Sequence, residues 1–137
     1  MTSAPRASVT RVVDWCDTDA AGHYHHSSVI RWAEAAEADL HVRLGLPHLV
    51  GVVPRVRYEV DYLDRLWFRD EVVTSLWVEA IGRTSLTYGF EVVGPHGPAA
   101  RGRMVCVNVG VRSGAGEGAP PEPWPDDVRQ ALQPAVP

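Results

Sequence analysis

The apolar residues of this chain change their repeat once, at Gly45-Leu46-Pro47, and that change limits what the chain can fold into. Before it, Val29, Ala33, Ala36, Leu40 and Leu44 recur at three- and four-residue steps, the spacing of one helix face. Ser27 or Ser28 suits the N-cap, Gly45 suits C′, and Pro47 stops the helix. Ile30 and Trp32 flank the stripe, and Arg31, Glu34, Glu37, His41 and Arg43 are expected mostly on the other side. After the change, residues 52–62, 70–80, 84–93 and 99–111 read as strands. Leu86, Tyr88, Phe90 and Val92 point one way, and Arg103, Val105, Val107, Val109 and Val111 share a face. Ile81-Gly82-Arg83 and Gly94-Pro95-His96-Gly97 make turns, and residues 8–15 form a first strand ahead of the helix.

The order is therefore one strand, one long helix and four antiparallel strands, an α+β chain. A sheet with one apolar face needs a cover, and the helix is there to supply it. An open sheet edge would remain, so pairing with a second copy is expected, giving at least a homodimer. Residues 1–112 form the domain. Residues 113–137, rich in Gly and Pro, are expected as a mobile arm with at most a short helix at 125–132.

Composition narrows the function classes. A net charge of -4 argues against nucleic acid, which wants a basic face. Cys16 and Cys106 lie far apart and suggest no disulfide, so a cytoplasmic setting is expected. The N-terminus has no signal-peptide pattern, and no apolar run approaches the ~20 residues that cross a bilayer.

The chemistry is concentrated just before the helix. Asp14, Asp17 and Asp19 share residues 14–26 with His23, His25 and His26. These types include acceptable zinc ligands, but the spacing fits no standard set such as HExxH, and Cys16 has no second thiol nearby. A helix N-terminus carries unpaired N–H groups and roughly half a positive charge. A carboxylate beside it would supply attack while the N–H groups hold developing negative charge.

The stretch "DTDAAGHYHHSSVIRWAEAA" resembles the signature of the 4-hydroxybenzoyl-CoA thioesterase family, and "GRTSL" at 82–86 resembles a second motif of it. The resemblance spans about residues 9–111. It implies a hotdog fold, a five-stranded antiparallel sheet wrapped around one long central helix. It implies hydrolysis of an acyl-CoA to free acid and coenzyme A, with no cofactor, in a homodimer or homotetramer. Residue by residue, it makes Asp19 the catalytic carboxylate, as nucleophile or general base, and turns the His26 N–H toward the thioester oxygen. Gly22, His25 and Ser27 would border the substrate, and Arg83, Thr84 and Ser85 would meet coenzyme A's phosphates. Two positions depart from the pattern: His23 replaces a usual aliphatic residue, and Val29 a common aromatic one.

Other readings stand beside these. Asp19 could simply cap a turn. Asp17 is expected to order the loop through backbone N–H groups. Glu34, the runner-up carboxylate, is expected in a surface ion pair with Arg31. Arg55, Arg57, Arg101 and Arg103 are further phosphate candidates. Tyr58, Tyr62, Trp67 and Trp77 are expected in the core or an interface and not in the acyl pocket. The same machinery could serve an acyl carrier protein thioester, or the domain could bind acyl-CoA without catalysis.

Overall fold

The computed structural model describes residues 4–49, 53–110 and 120–134. Five strands form one antiparallel sheet: β1 (Arg6–Val12), β2 (Arg55–Tyr62), β3 (Glu71–Ile81), β4 (Ser85–Gly94) and β5 (Gly97–Val107). Their order is β1-β3-β4-β5-β2, so β1 and β2 are the edges. The helix α1 (Ser28–Arg43) follows β1 in the chain and packs against β1 and β3. A short α2 (Asp126–Leu132) closes the chain.

The core is where the alternation placed it. Leu86, Tyr88, Phe90 and Val92 of β4 are buried, with Val72, Leu76 and Val78 of β3 beside them. Val29, Ala33, Ala36 and Leu40 of α1 meet them from above, as does Trp32, which is fully buried and not a flank. Leu44 is only partly buried. Gly45 has φ 75°, the left-handed C′ geometry that ends a helix.

Several expectations need correction. β1 stops at Val12 because Asp14 and Asp17 form a capping box: Asp14 Oδ1 accepts from Trp15 N–H (2.7 Å), and Asp17 Oδ2 accepts from Asp14 N–H (2.9 Å). β5 ends at Val107 because Asn108 turns its amide to the carbonyls of Glu122 and Pro123 (3.1 and 3.0 Å). The inward face of β5 carries Ala100, Met104 and Cys106, so the valines that share a face are on the outside. Val111, and residue 52 at the start of the expected second strand, lie outside the described residues.

Of the segment expected as a mobile arm, residues 120–134 are described, and they are docked. Trp124, Val128 and Leu132 are buried. The Trp124 indole N–H donates to Ser85 O (3.0 Å), and Arg129 donates to Gly82 O (2.6 Å). Burying a tryptophan and two aliphatic side chains offsets the entropy of ordering a Pro-rich segment.

Glu37 and His41, expected on the outer side of α1, are buried as well. Each has a partner, which is what makes burial tolerable. Arg55 at the start of β2 grips both Glu37 oxygens (2.9 and 2.5 Å). Arg55 also lies 3.7 Å from Glu34, so Glu34 pairs across to β2 and not with Arg31. His41 Nε2 lies 2.6 Å from the Tyr88 hydroxyl.

Burial lowers the pKa of His41, outweighing the opposing pull of Glu37. As pH falls through about 6.5 the unfolded chain takes up a proton that folded His41 resists, so stability falls on the acid side, by up to ~1.4 kcal/mol per pH unit. Denaturant unfolding at pH 7.5, 6.5 and 5.5 should show a shallower acid decline for His41→Gln than for the native protein.

Candidate active site

Residues 14–28 fold into a loop that returns to the start of α1. Thr18 bridges Tyr24 and His23 bridges Trp67, so the loop is pinned at its neck and against the turn before β3. Gly22 sits at the tip with φ 90°, a conformation that side-chain-bearing residues rarely adopt. Asp19 opens this tip. Its N–H donates to His23 O (3.0 Å), and its Oδ1 accepts from Ala21 N–H (2.8 Å). Asp19 therefore does cap the turn, but with one oxygen only. Its Oδ2 has no partner among the described residues.

The segment from His25 to Ser28 is held from every side. His25 N–H donates to Asp17 O (2.7 Å), Ser28 N–H to His25 O (2.9 Å), and Ser28 Oγ to Asp17 O (2.8 Å). Ser27 is the N-cap, but its hydroxyl caps nothing. Instead Ser27 N–H donates to His25 Nδ1 (3.1 Å), with Ser27 Oγ 2.8 Å from the same nitrogen. A ring nitrogen that accepts carries no proton, which assigns the His25 proton to Nε2. The His26 carbonyl accepts from the Tyr62 hydroxyl (2.9 Å). Among the described residues the His26 N–H alone in this turn has no acceptor.

A cleft of about 530 Å³ opens at this point, lined by Asp19, His23, Tyr24, His26, Tyr62, Leu63, Asp64 and Arg65. The Asp19 loop and the start of α1 form one wall, and the end of β2 with the loop after it forms the other. Tyr24 is buried between them and donates to Asp64 O (2.9 Å). Burial, then the neighbouring Tyr62 and Asp64, pushes its phenol up to about 12.

Of the residues singled out in the sequence, Asp19, His23 and His26 line the cleft. Gly22, His25 and Ser27 build the turn around it. Asp17 is buried under the loop, where it orders backbone as expected, with Arg31 3.6 Å away. Arg83, Thr84 and Ser85 lie elsewhere, on the β3–β4 hairpin. Their carbonyls accept from the N–H groups of Trp124, Asn108 and the Trp124 indole. The Arg83 side chain is exposed and forms no ion pair among the described residues.

Tyr62, Leu63, Asp64 and Arg65 were missed. Their only sequence signal is that Tyr58, Val60 and Tyr62 alternate onto one face of β2. That face meets α1, as the Tyr62–His26 and Arg55–Glu37 bonds show. Tyr62 was expected in the core or an interface and lines the cleft instead. Trp67 is largely exposed, with Gly22 against its ring. Among the described residues no three His, Cys, Asp or Glu side chains converge as a metal-ligand group. No described helix is long and apolar enough to cross a membrane.

A carboxylate with an unpaired oxygen and a residue with a free backbone N–H, both lining one cleft, are the parts of an acyl-transfer site. The sequence matches the thioesterase-like superfamily over residues 13–132. The fold is shared with a predicted thioesterase from Bacillus stearothermophilus (30% identity, 93% of this chain and 94% of that one, TM-score 0.81). It is shared with a Thermus thermophilus thioesterase complexed with coenzyme A and zinc (28%, 97% and 95%, 0.80). It is shared also with a 4-hydroxybenzoyl-CoA thioesterase variant complexed with 4-hydroxybenzoyl-CoA (18%, 95% and 100%, 0.80). None of the curated proteins matches the sequence. The chain belongs to the thioesterase-like superfamily, and it is a thioester hydrolase.

Proposed function

We propose that this enzyme hydrolyses an acyl-CoA, with Asp19 supplying the attack and the His26 N–H holding the oxyanion. The observation that carries this reading is that Asp19, whose Oδ2 is without a partner among the described residues, and His26, whose N–H is without one, line one cleft. The thioester carbonyl sits between them. Asp19 either attacks the carbonyl carbon or takes a proton from the water that does. In both cases negative charge moves to the carbonyl oxygen, where the N–H and the α1 dipole meet it. The carbon–sulfur bond then breaks. A thiol with a pKa of about 8.5 departs as thiolate with little acid help, so no second acid is required.

Gly22, His25 and Ser27 serve the substrate through the turn they build. The exposed Arg83, with Thr84 and Ser85, is assigned to the nucleotide end of coenzyme A, where an arginine fork suits phosphate oxygens. The α1 helix is the one around which the sheet wraps, as in the hotdog thioesterases. The working unit is a cytoplasmic homodimer or homotetramer built on the free sheet edges.

Thiol release from acetyl-, octanoyl-, palmitoyl- and benzoyl-CoA tests the reading. At least one should turn over with kcat/KM above about 10⁴ M⁻¹s⁻¹. Release from none of them, with carrier-protein thioesters hydrolysed, would favour the carrier-bound substrate.

A further inference from the structure

We propose that Tyr62 is a positioning residue for the oxyanion donor: its hydroxyl, reaching across the cleft, fixes the turn from which the His26 N–H faces the thioester. The inference rests on the reading of the site given above.

The turn at His25–Ser28 is tied down mainly from its own wall, by Asp17 and by contacts within the turn. Those ties secure residues 25, 27 and 28. They also orient the two peptides that flank His26, since His25 O accepts from Ser28 N–H (2.9 Å) and Ser27 N–H donates to His25 Nδ1 (3.1 Å). Of the His26 backbone atoms themselves the carbonyl alone is bonded among the described residues, and that bond is the turn's tie to the opposite wall. Tyr62 lies 36 positions away on the edge strand β2, and its hydroxyl donates to His26 O at 2.9 Å. The bond adds a second anchor to the peptide that follows His26, whose other end is held by Ser27 N–H on His25 Nδ1. The His26 N–H lies on the other side of the same Cα, so tilting that peptide re-aims the N–H. Tyr62 and His26 both line the cleft that Asp19 lines.

Tyr62 is suited to donate and not to titrate. Desolvation raises its phenol pKa above the ordinary 10.0, so the proton stays in place at neutral pH. That one proton is committed to a carbonyl, which leaves Tyr62 no part in protonating the leaving thiolate. The ring packs 6.1 Å from Tyr24, so phenylalanine keeps the wall while it removes the tether, together with the hydroxyl's approach to the Tyr58 phenol.

A misplacement of about 1 Å can cost a hundredfold in rate. Loosening an oxyanion donor without removing it should cost less. Tyr62→Phe should therefore lower kcat about tenfold to thirtyfold, with KM changed less than twofold. The substrate is whichever of the four acyl-CoA esters above the native enzyme turns over fastest. Two inhibitors separate aim from general loosening. A fluoroketone analogue, with the thioester sulfur replaced by CF₂, takes up water to a tetrahedral mimic of the intermediate and should bind Tyr62→Phe about tenfold more weakly. A thioether analogue lacking the carbonyl should bind both forms equally.

Unchanged kcat in Tyr62→Phe, or equal weakening of both analogues together with a lower Tm, would overturn the proposal. If the native protein releases thiol and Asp19→Asn does not, while Tyr62→Phe is fully active, only the role of Tyr62 falls. If the native protein releases none and hydrolyses no carrier-protein thioester either, the reading of the site falls and Tyr62 with it.

Discussion

Asp19→Asn should lower kcat for thioester release by about 10²- to 10⁴-fold while leaving KM and the melting temperature nearly unchanged. The size follows from removing the attacking or proton-accepting oxygen altogether. The silence in stability follows from the loop geometry. Asp19 Oδ1 accepts from Ala21 N–H, and the asparagine carbonyl can accept the same bond. Gly22 and the Thr18–Tyr24 bridge are untouched. What is lost is Oδ2, the oxygen without a partner. The substitution thus separates the two roles the sequence left open for Asp19. If it only capped the turn, Asn would keep the activity. Survival of full activity would direct attention to Glu34, the exposed acid on α1.

The second large effect is on stability. Arg55→Leu should destabilise the protein by about 3 kcal/mol, measured by denaturant unfolding at neutral pH. Glu37 is 6% exposed, and Arg55 grips both of its oxygens. Removing the arginine strands that carboxylate in the core. The expected loss sits at the low end of the range for buried pairs because the Arg55 side chain is 24% exposed, so water screens part of the interaction. The double variant Arg55→Leu with Glu37→Leu should recover most of the loss, since an apolar pair of similar volume costs no desolvation. Failure of the double variant to recover would mean that Arg55 matters for another contact, such as Cys106 Sγ at 3.2 Å.

The elements were legible wherever a single period was enough. The α1 stripe and the β4 alternation are local patterns; β4 packed as read, and the stripe did so from Val29 to Leu40, with Leu44 only partly buried and Trp32 joining the core. What local pattern could not give was the partner of each polar residue. Glu37 and His41 look like outer-face residues on a helix, and only Arg55 and Tyr88, far along the chain, make their burial possible. The C-terminal segment misled for the same reason. Its Gly and Pro content argues for mobility, while Trp124, Val128 and Leu132 find a place only once the β3–β4 hairpin exists. In the site, Asp19 and His26 belong to one contiguous motif and could be read together. The opposite wall belongs to β2, and strand order alone brings Tyr62 to His26.

The most direct test of the account is the crystal structure of Asp19→Asn bound to the acyl-CoA that the native enzyme hydrolyses. The account predicts the thioester oxygen within about 3 Å of the His26 nitrogen, with residue 19 facing the carbonyl carbon. A thioester seated away from the His26 N–H, or with its carbonyl carbon turned to Glu34, would contradict it.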